Sequence, residues 1–165
     1  MYLKSTNLCF KYTKARIFIV ALAEEMARLK RFDLQLEEAI SGYKGESSEL
    51  IHEAPALYRL MIRLLDDPAL PKSLSTLVIA AIAYFIVPDD KDAVPELEFI
   101  DKIFLCAFVA DQVMKAAGTE DILIRNWTGK RQVVPLVKEI LSHEKELIGD
   151  NRDRLMEFIG YDQLI

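Results

Sequence analysis

The stretch KSLSTLVIAAIAYFIVPDDKDAVPELEFIDKIFLCAFVADQVMKAA, residues 72–117, decides the fold. Its first part, up to Ile86, is apolar at almost every position, which predicts a helix buried on most sides. Pro88 ends that helix, and a short acidic segment follows it. Pro95, followed by Glu96, is typical of the first turn of a new helix. We expect the first of these helices to be a buried core helix and the second to turn an apolar face towards the core.

On both sides of these two helices, apolar residues recur at helical spacing. Capping residues precede several of the expected helix starts, and glycines follow the expected ends. Pro55 should kink or break the second helix because it lacks a backbone donor. Gly42 and Gly45 should end the first helix in the left-handed conformation. The predicted helices cover about 13–41, 47–65, 72–86, 95–117, 119–127, 130–148 and 150–159.

The whole chain, residues 1–165, is predicted to be one all-α domain. Residues 1–12 have no clear period and are expected to be a lead-in. Beyond them the sequence lacks strand-like alternation, internal repeats and flexible linkers. The length suits a single core, and a hydrophobic fraction of 52% supplies the material for it. The expected architecture is an irregular bundle of about six to seven helices.

The composition favours a cytoplasmic protein without an integral membrane segment. Cys9 and Cys106 stand alone, and although one disulfide is arithmetically possible, we predict two reduced thiols. The apolar residues 17–23 run into Glu24 without a cleavage site, which indicates a mature helix rather than a signal peptide. The longest apolar segment, Leu74 to Val87, is shorter than the about 20 residues of a membrane span.

Common catalytic and cofactor-binding motifs are missing from the sequence. There is no phosphate-binding loop, no GxGxxG fingerprint and no HExxH zinc helix. His52 and His143 fall on charged stretches and are predicted to be solvated. Cys106 lies on an apolar helical face, where burial makes a thiol a poor nucleophile. The sequence therefore identifies no catalytic or cofactor-binding residue.

An acidic cluster around residues 89–101 is the one constellation with possible metal chemistry. Carboxylate oxygens are the ligands that Mg²⁺ and Ca²⁺ prefer. No frame has the glycine of an EF-hand loop, and Lys91 and Lys102 reduce the local charge. A cation site and a solvated, turn-forming loop both remain open. The candidate ligands are Asp90, Asp92, Glu96 and Asp101.

Basic residues flank the single tryptophan, Trp127. An aromatic ring among cations can stack on a nucleobase, and the cations here are Arg125, Lys130 and Arg131. A net charge of −5 argues against a nucleic-acid partner, because phosphate binding usually needs a basic face. We therefore predict that Trp127 anchors its own domain.

The segment around residues 80–109 has a distinctive order of features. An apolar helix ends in an aromatic residue and a proline, an acidic turn follows, and a second proline precedes an aromatic-apolar-aspartate run. The residues that carry this order are Tyr84, Pro88, Asp90, Pro95, Glu96, Phe99, Ile100 and Asp101. The segment resembles the YkvA-like domain, a bacterial and archaeal family of unknown function.

This resemblance implies a tight, central antiparallel apolar hairpin over residues 72–117 whose geometry the acidic loop sets, and it permits contact with a membrane surface. It implies no particular activity. The sequence departs from the family pattern by two extra residues between the prolines. Glu98 also stands at the glycine position, and Lys102 replaces the second aspartate of a pair. The last substitution argues against a cation site that depends on both carboxylates.

Three functions follow from these observations. A non-catalytic helical interaction or structural module, with a protein partner or a second copy, fits the apolar surplus and the missing catalytic motifs. A divalent-metal-binding protein or metal-dependent enzyme would use the acidic loop at 89–101. Peripheral membrane association would need basic residues beside the hairpin, and Lys72, Lys91 and Lys102 are available. We favour the first.

Overall fold

The computed structural model describes residues 24–87 and 95–161, with residues 95–98 described by their backbone alone. Within these ranges the regular structure is helical throughout, and no strand occurs. The prediction of an all-α irregular bundle is confirmed. The expected lead-in at 1–12 and the start of the first helix near Thr13 lie outside the described residues.

The helices follow one another with short connections. Helix α1 covers residues 24–40 of the described range. The others are α2 Ser48–Ile51, α3 Ala54–Asp66, α4 Ser75–Ile86, α5 Pro95–Ala117, α6 Asp121–Asn126, α7 Val133–Ser142, α8 Glu144–Leu147 and α9 Arg152–Phe158. Short 3₁₀ turns at Lys72–Leu74 and Gly149–Asn151 precede α4 and α9.

Pro55 separates α2 from α3, as predicted. It occupies the first turn of α3, where its missing N–H would have no intrahelical acceptor in any case. The preceding residues close α2 with ordinary backbone bonds, such as His52 N–H to the Ser48 carbonyl at 3.0 Å. One long amphipathic stretch is thereby divided into a single short turn and a helix with one buried face.

The glycines at the helix ends play two different parts. Gly118, Gly149 and Gly160 have positive φ angles of 68°, 52° and 68°, the left-handed geometry expected of glycine there. The left-handed cap predicted at Gly42 and Gly45 is wrong, because neither glycine has a positive φ. The Tyr43 N–H closes that turn by donating to the Ile40 carbonyl at 2.9 Å.

The single helix predicted over 130–148 is wrong at its start and in its interior. The Trp127 indole N–H donates to the Arg131 carbonyl at 2.6 Å, which holds the preceding loop out of helical geometry. At the other end, Ser142 Oγ and His143 Nδ1 lie 2.8 and 2.9 Å from the Glu139 carbonyl oxygen. These side chains compete with the backbone for the last turn and end α7 there.

Helix α5 lies at the centre of the core. It packs against α2, α3, α4, α6, α7 and α8. The residues from Ile103 to Val109 are buried without interruption, so this helix has no solvent-facing side along that stretch. The predicted contact between α4 and α5 is confirmed, with α5 as the more deeply buried member.

Helix α4 departs from the expectation that it is buried on most sides. It turns Leu77, Val78, Ala81, Ile82 and Phe85 into the core. Ile79 and Ile86, which lie two turns apart on its other side, are exposed. Among the described helices, none has both the length and the apolarity needed to cross a bilayer.

Candidate functional site

The candidate metal ligands can be placed only in part. Asp90 and Asp92 lie outside the described residues, and Glu96 falls in the first turn of α5 with only its backbone described. Asp101 accepts a hydrogen bond from Asn151 Nδ2 at 2.6 Å, and Arg154 Nη2 lies 4.0 Å from the same oxygen. Within 24–87 and 95–161, no three His, Cys, Asp or Glu side chains are placed to hold a metal ion. The cation site therefore stays a prediction.

Lys102 is a buried lysine on α5. Its side chain is only 4% exposed, and its amine lies 5.7 Å from the centre of the Phe99 ring. A lysine in this position packs inside the protein instead of bordering a membrane-facing surface. Of the three lysines considered for peripheral membrane contact, Lys72 is exposed and Lys91 lies outside the described residues.

The two histidines and Cys106, which the sequence also singled out, lie at the surface and in the core respectively. Both histidines are exposed, as predicted, and His52 Nδ1 lies 2.6 Å from the Ser48 carbonyl oxygen. Cys106 is fully buried, and that burial raises the pKa of its thiol well above the ordinary value. The prediction of a buried core thiol at Cys106 is confirmed, and Cys9 lies outside the described residues.

Trp127 is half-buried and anchors its own domain, as predicted. Its indole N–H is committed to the Arg131 carbonyl, and its ring lies against Gly129, where an added Cβ would come within 2.2 Å of the ring. Arg125, one of its basic neighbours, is bound to Asp67 through two bonds of 2.8 and 3.0 Å.

A polar pocket of about 330 Å³ opens between α1, the α2–α3 turn and the loop after Trp127. Arg59 lies at its centre and donates to Asp33, Glu37 and Thr128 at 2.9, 2.6 and 3.2 Å. Burial raises the pKa of Glu53 at the edge of this pocket, and nearby positive charges, first that of Arg131, offset part of the rise. Because Arg59 of α3 is already bound to Asp33 and Glu37 of α1, the polar side chains of this pocket join the two helices.

The first surface that exposes large apolar side chains is the outer side of α4. We call it the α4 face and define it by Ile79, Ala83 and Ile86 of α4 together with Leu34 of α1. Ile79 is 52% exposed and Leu34 is 58% exposed. Leu34 and Ile86 line one open groove of about 630 Å³, whose border includes Arg28 and Arg31.

The second surface is a groove of about 650 Å³ between α6 and the start of α7. We call it the α6–α7 groove. Its apolar residues include Ile124, which is 56% exposed, together with Trp127 and Pro135. Lys130, Arg131, Lys138 and Glu120 supply its charges.

Sequence reasoning missed both surfaces, although each leaves a trace in the chain. Leu34 falls on the polar side of the α1 periodicity, two residues before the buried Leu36. Ile124 stands between buried Leu123 and basic Arg125 on a helix too short to show a clear period. An apolar residue on a predicted polar face was the signal available.

No protein-family model matches the chain, and no solved structure matches it. The chain is similar to a protein of Methanothermobacter thermautotrophicus described as "Uncharacterized protein ORF9". The two are 22% identical over 129 residues, which cover 76% of this chain and 88% of that protein. The similarity spans most of both chains and carries no activity from one to the other.

Proposed function

We propose that the protein is a non-catalytic helical interaction module that pairs with a second copy of itself through the α4 face. The observation that carries the proposal is the exposure of Ile79 and Ile86 on one side of α4, with exposed Leu34 lining the same groove as Ile86. Large apolar side chains exposed on one helix and in the groove beside it are typical of an interaction site.

The chemistry of α4 favours a second copy as the occupant. A two-fold contact brings the same surface of both copies together, so that surface must be complementary to itself. Helix α4, Ser75–Ile86, has no charged residue, so contact between the two α4 helices brings no like charges of this helix together. Ala83, between the two isoleucines on this side of α4, is small and allows the two helices to approach closely.

The expected affinity is modest. Full burial of one large aliphatic side chain contributes about 1.5–3 kcal/mol, whereas association of two proteins costs about 4–15 kcal/mol in lost freedom. The three aliphatic side chains of this face are already about half-buried in each copy, so pairing gains only part of that value, and we expect a dissociation constant on the order of 1–100 µM.

The test compares two isoleucines of similar exposure by sedimentation equilibrium between about 0.5 and 500 µM, a span chosen to bracket that range. Ile79 lies on the α4 face, and Ile124, on α6, is the control. The wild-type protein and Ile124→Lys should dimerise with the same constant, and Ile79→Lys should stay monomeric. A wild-type protein that is monomeric throughout, or a dimer that Ile79→Lys leaves intact, contradicts the proposal.

Vesicles provide the second arm of this test. If monomeric wild-type protein binds vesicles that contain anionic lipid and Ile79→Lys does not, the α4 face contacts a membrane surface instead of a second copy. This outcome would replace the dimer with the peripheral alternative predicted from the sequence.

The module is proposed to work in the cytoplasm, in line with the composition and the lone cysteines of the sequence. Membership of the YkvA-like family stays a prediction on the residues that carry the resemblance. The divalent-cation alternative rests on Asp90 and Asp92 and stays a prediction as well.

A further inference from the structure

We infer that the α6–α7 groove binds a segment of a partner protein in which an apolar side chain is flanked by acidic residues. This goes beyond the proposed function, because the groove lies on α6 and α7 and shares no lining residue with the α4 face. A variant whose α6–α7 groove cannot bind this segment should still pair with a second copy of itself.

The groove has a firm apolar floor. The Trp127 ring is fixed at one edge by its bond to the Arg131 carbonyl and at another by the close approach of Gly129. Ile124 and Pro135, which line the same groove, are exposed. A site whose aromatic side chain is already ordered loses little side-chain freedom when it binds a ligand.

The charges around this floor are mostly positive. Lys138 pairs with Glu120 at 3.1 Å, and Arg131 pairs with Glu139 on the outer side of α7. Lys130 is exposed and has no salt-bridge partner in the described part of the chain. Three cations and one acid line the groove of a protein whose net charge is −5.

The excess of positive charge in this groove favours an acidic occupant. Charge complementarity favours an acidic segment in a groove that three cations and one acid line, within a protein whose net charge is negative. The apolar floor requires an apolar side chain between those acids, which a peptide supplies. A nucleic acid strand would need cations continuing beyond the groove, whereas Glu120 and Glu139 lie at its edges.

A display library of random 16-residue peptides tests the inference, with selection on the full-length wild-type protein and counter-selection on Lys130→Glu. Enriched sequences should carry leucine, isoleucine or phenylalanine flanked by aspartate or glutamate. A synthetic peptide with the enriched sequence should bind wild-type protein saturably. Its dissociation constant should rise about tenfold with Lys130→Glu and similarly with Ile124→Lys. Higher salt should weaken the wild-type complex.

The control is Ile79→Lys, which should bind this peptide as the wild type does, because Ile79 is on α4. Lys130 and Ile124 are exposed, so the variants are expected to keep the wild-type circular dichroism and melting temperature. Failure to enrich peptides that discriminate Lys130→Glu would overturn the inference. Enrichment of basic peptides, or saturable binding of polyuridylate that Lys130→Glu abolishes, would also overturn it.

Discussion

At the scale of single residues, the Asp67 carboxylate joins three other residues through hydrogen bonds. Its carboxylate accepts two hydrogen bonds from Arg125, one from Asn126 Nδ2 at 2.6 Å and one from the Ala69 N–H at 2.9 Å. These bonds, first that of Arg125, hold the pKa of the Asp67 carboxyl well below its usual range. The residue thereby ties the end of α3 to α6, 58 positions later in the chain.

Asp67→Asn should lower the melting temperature at pH 7 by about 3–6 °C, because the charged acceptor of these bonds is lost. The folded pKa of Asp67 is depressed, so its contribution to stability is complete above the unfolded pKa of about 4 and is lost as pH falls below it. Thermal melts from pH 7 to pH 2.5 should therefore fall less steeply for the variant than for the wild type.

Asp66→Asn is the matched control for this prediction. Asp66 is the neighbouring carboxylate, but it is exposed, and its ion pair in the described part of the chain is with exposed Lys30 at 3.0 Å. A surface pair of this kind contributes little, and a change of about 1 °C or less is expected. Parallel pH profiles for wild type and Asp67→Asn would show that the network does not govern acid stability.

At the scale of elements, the ends of the helices depend on backbone geometry more than on side-chain caps. Helix α5 ends at Ala117 because Gly118 reverses the chain with a φ of 68°. The turn after α1 contains Gly42, which has no positive φ. Neither glycine has an atom within 4 Å of the place where a Cβ would stand. The two positions therefore differ in backbone conformation and not in available space.

Gly118→Ala should reduce the free energy of unfolding by about 1–2 kcal/mol, because a side chain at positive φ meets the following carbonyl. Gly42→Ala should leave it unchanged or raise it by up to about 1 kcal/mol, since alanine restricts the unfolded chain. Urea denaturation of the two variants beside the wild type measures the difference. Equal effects would show that local packing, and not the left-handed turn, sets the cost at Gly118.

At the scale of the whole molecule, α5 is the element on which the others depend. Six helices pack against it, and the aromatic ladder of Phe32, Tyr58 and Phe85 joins α1, α3 and α4 beside it. The ring centres in this ladder are 5.3 and 5.4 Å apart, and the Tyr58 hydroxyl donates to the Leu29 carbonyl at 2.8 Å. Loss of packing at α5 should therefore affect every part of the described structure.

Leu105→Ala should lower the free energy of unfolding by about 2–5 kcal/mol, since this fully buried side chain leaves a cavity in α5. Unfolding of the variant and of the wild type should each follow one transition. The fluorescence of Trp127, which reports on the α6–α7 loop, should coincide with the far-ultraviolet circular dichroism of all helices. Separate transitions by the two signals would indicate that α6 and α7 unfold independently of α5.

Local patterns predicted most helices and several of their ends. Apolar residues at helical spacing marked α3 and α5. Pro55 separated α2 from α3 and Gly118 ended α5 as predicted, because the effects of these residues depend on their own backbone dihedrals. The prediction failed where a distant or competing partner intervened. Trp127 and His143 shortened the predicted helix at 130–148 through bonds to carbonyl oxygens. Periodicity contains no information about such bonds.

The sequence by itself determined that this protein is an all-α bundle with a hairpin of α4 and α5 in its core, because helix formation and overall hydrophobicity are properties of short segments. Only the tertiary structure decided which side of the uncharged α4 stays exposed. It also brought Asp67 to Arg125, and Ile124 to Trp127 and the cations of the α6–α7 groove. The physical reason is that burial and charge pairing depend on which helix surfaces meet. Contacts between residues far apart in the chain determine which surfaces those are.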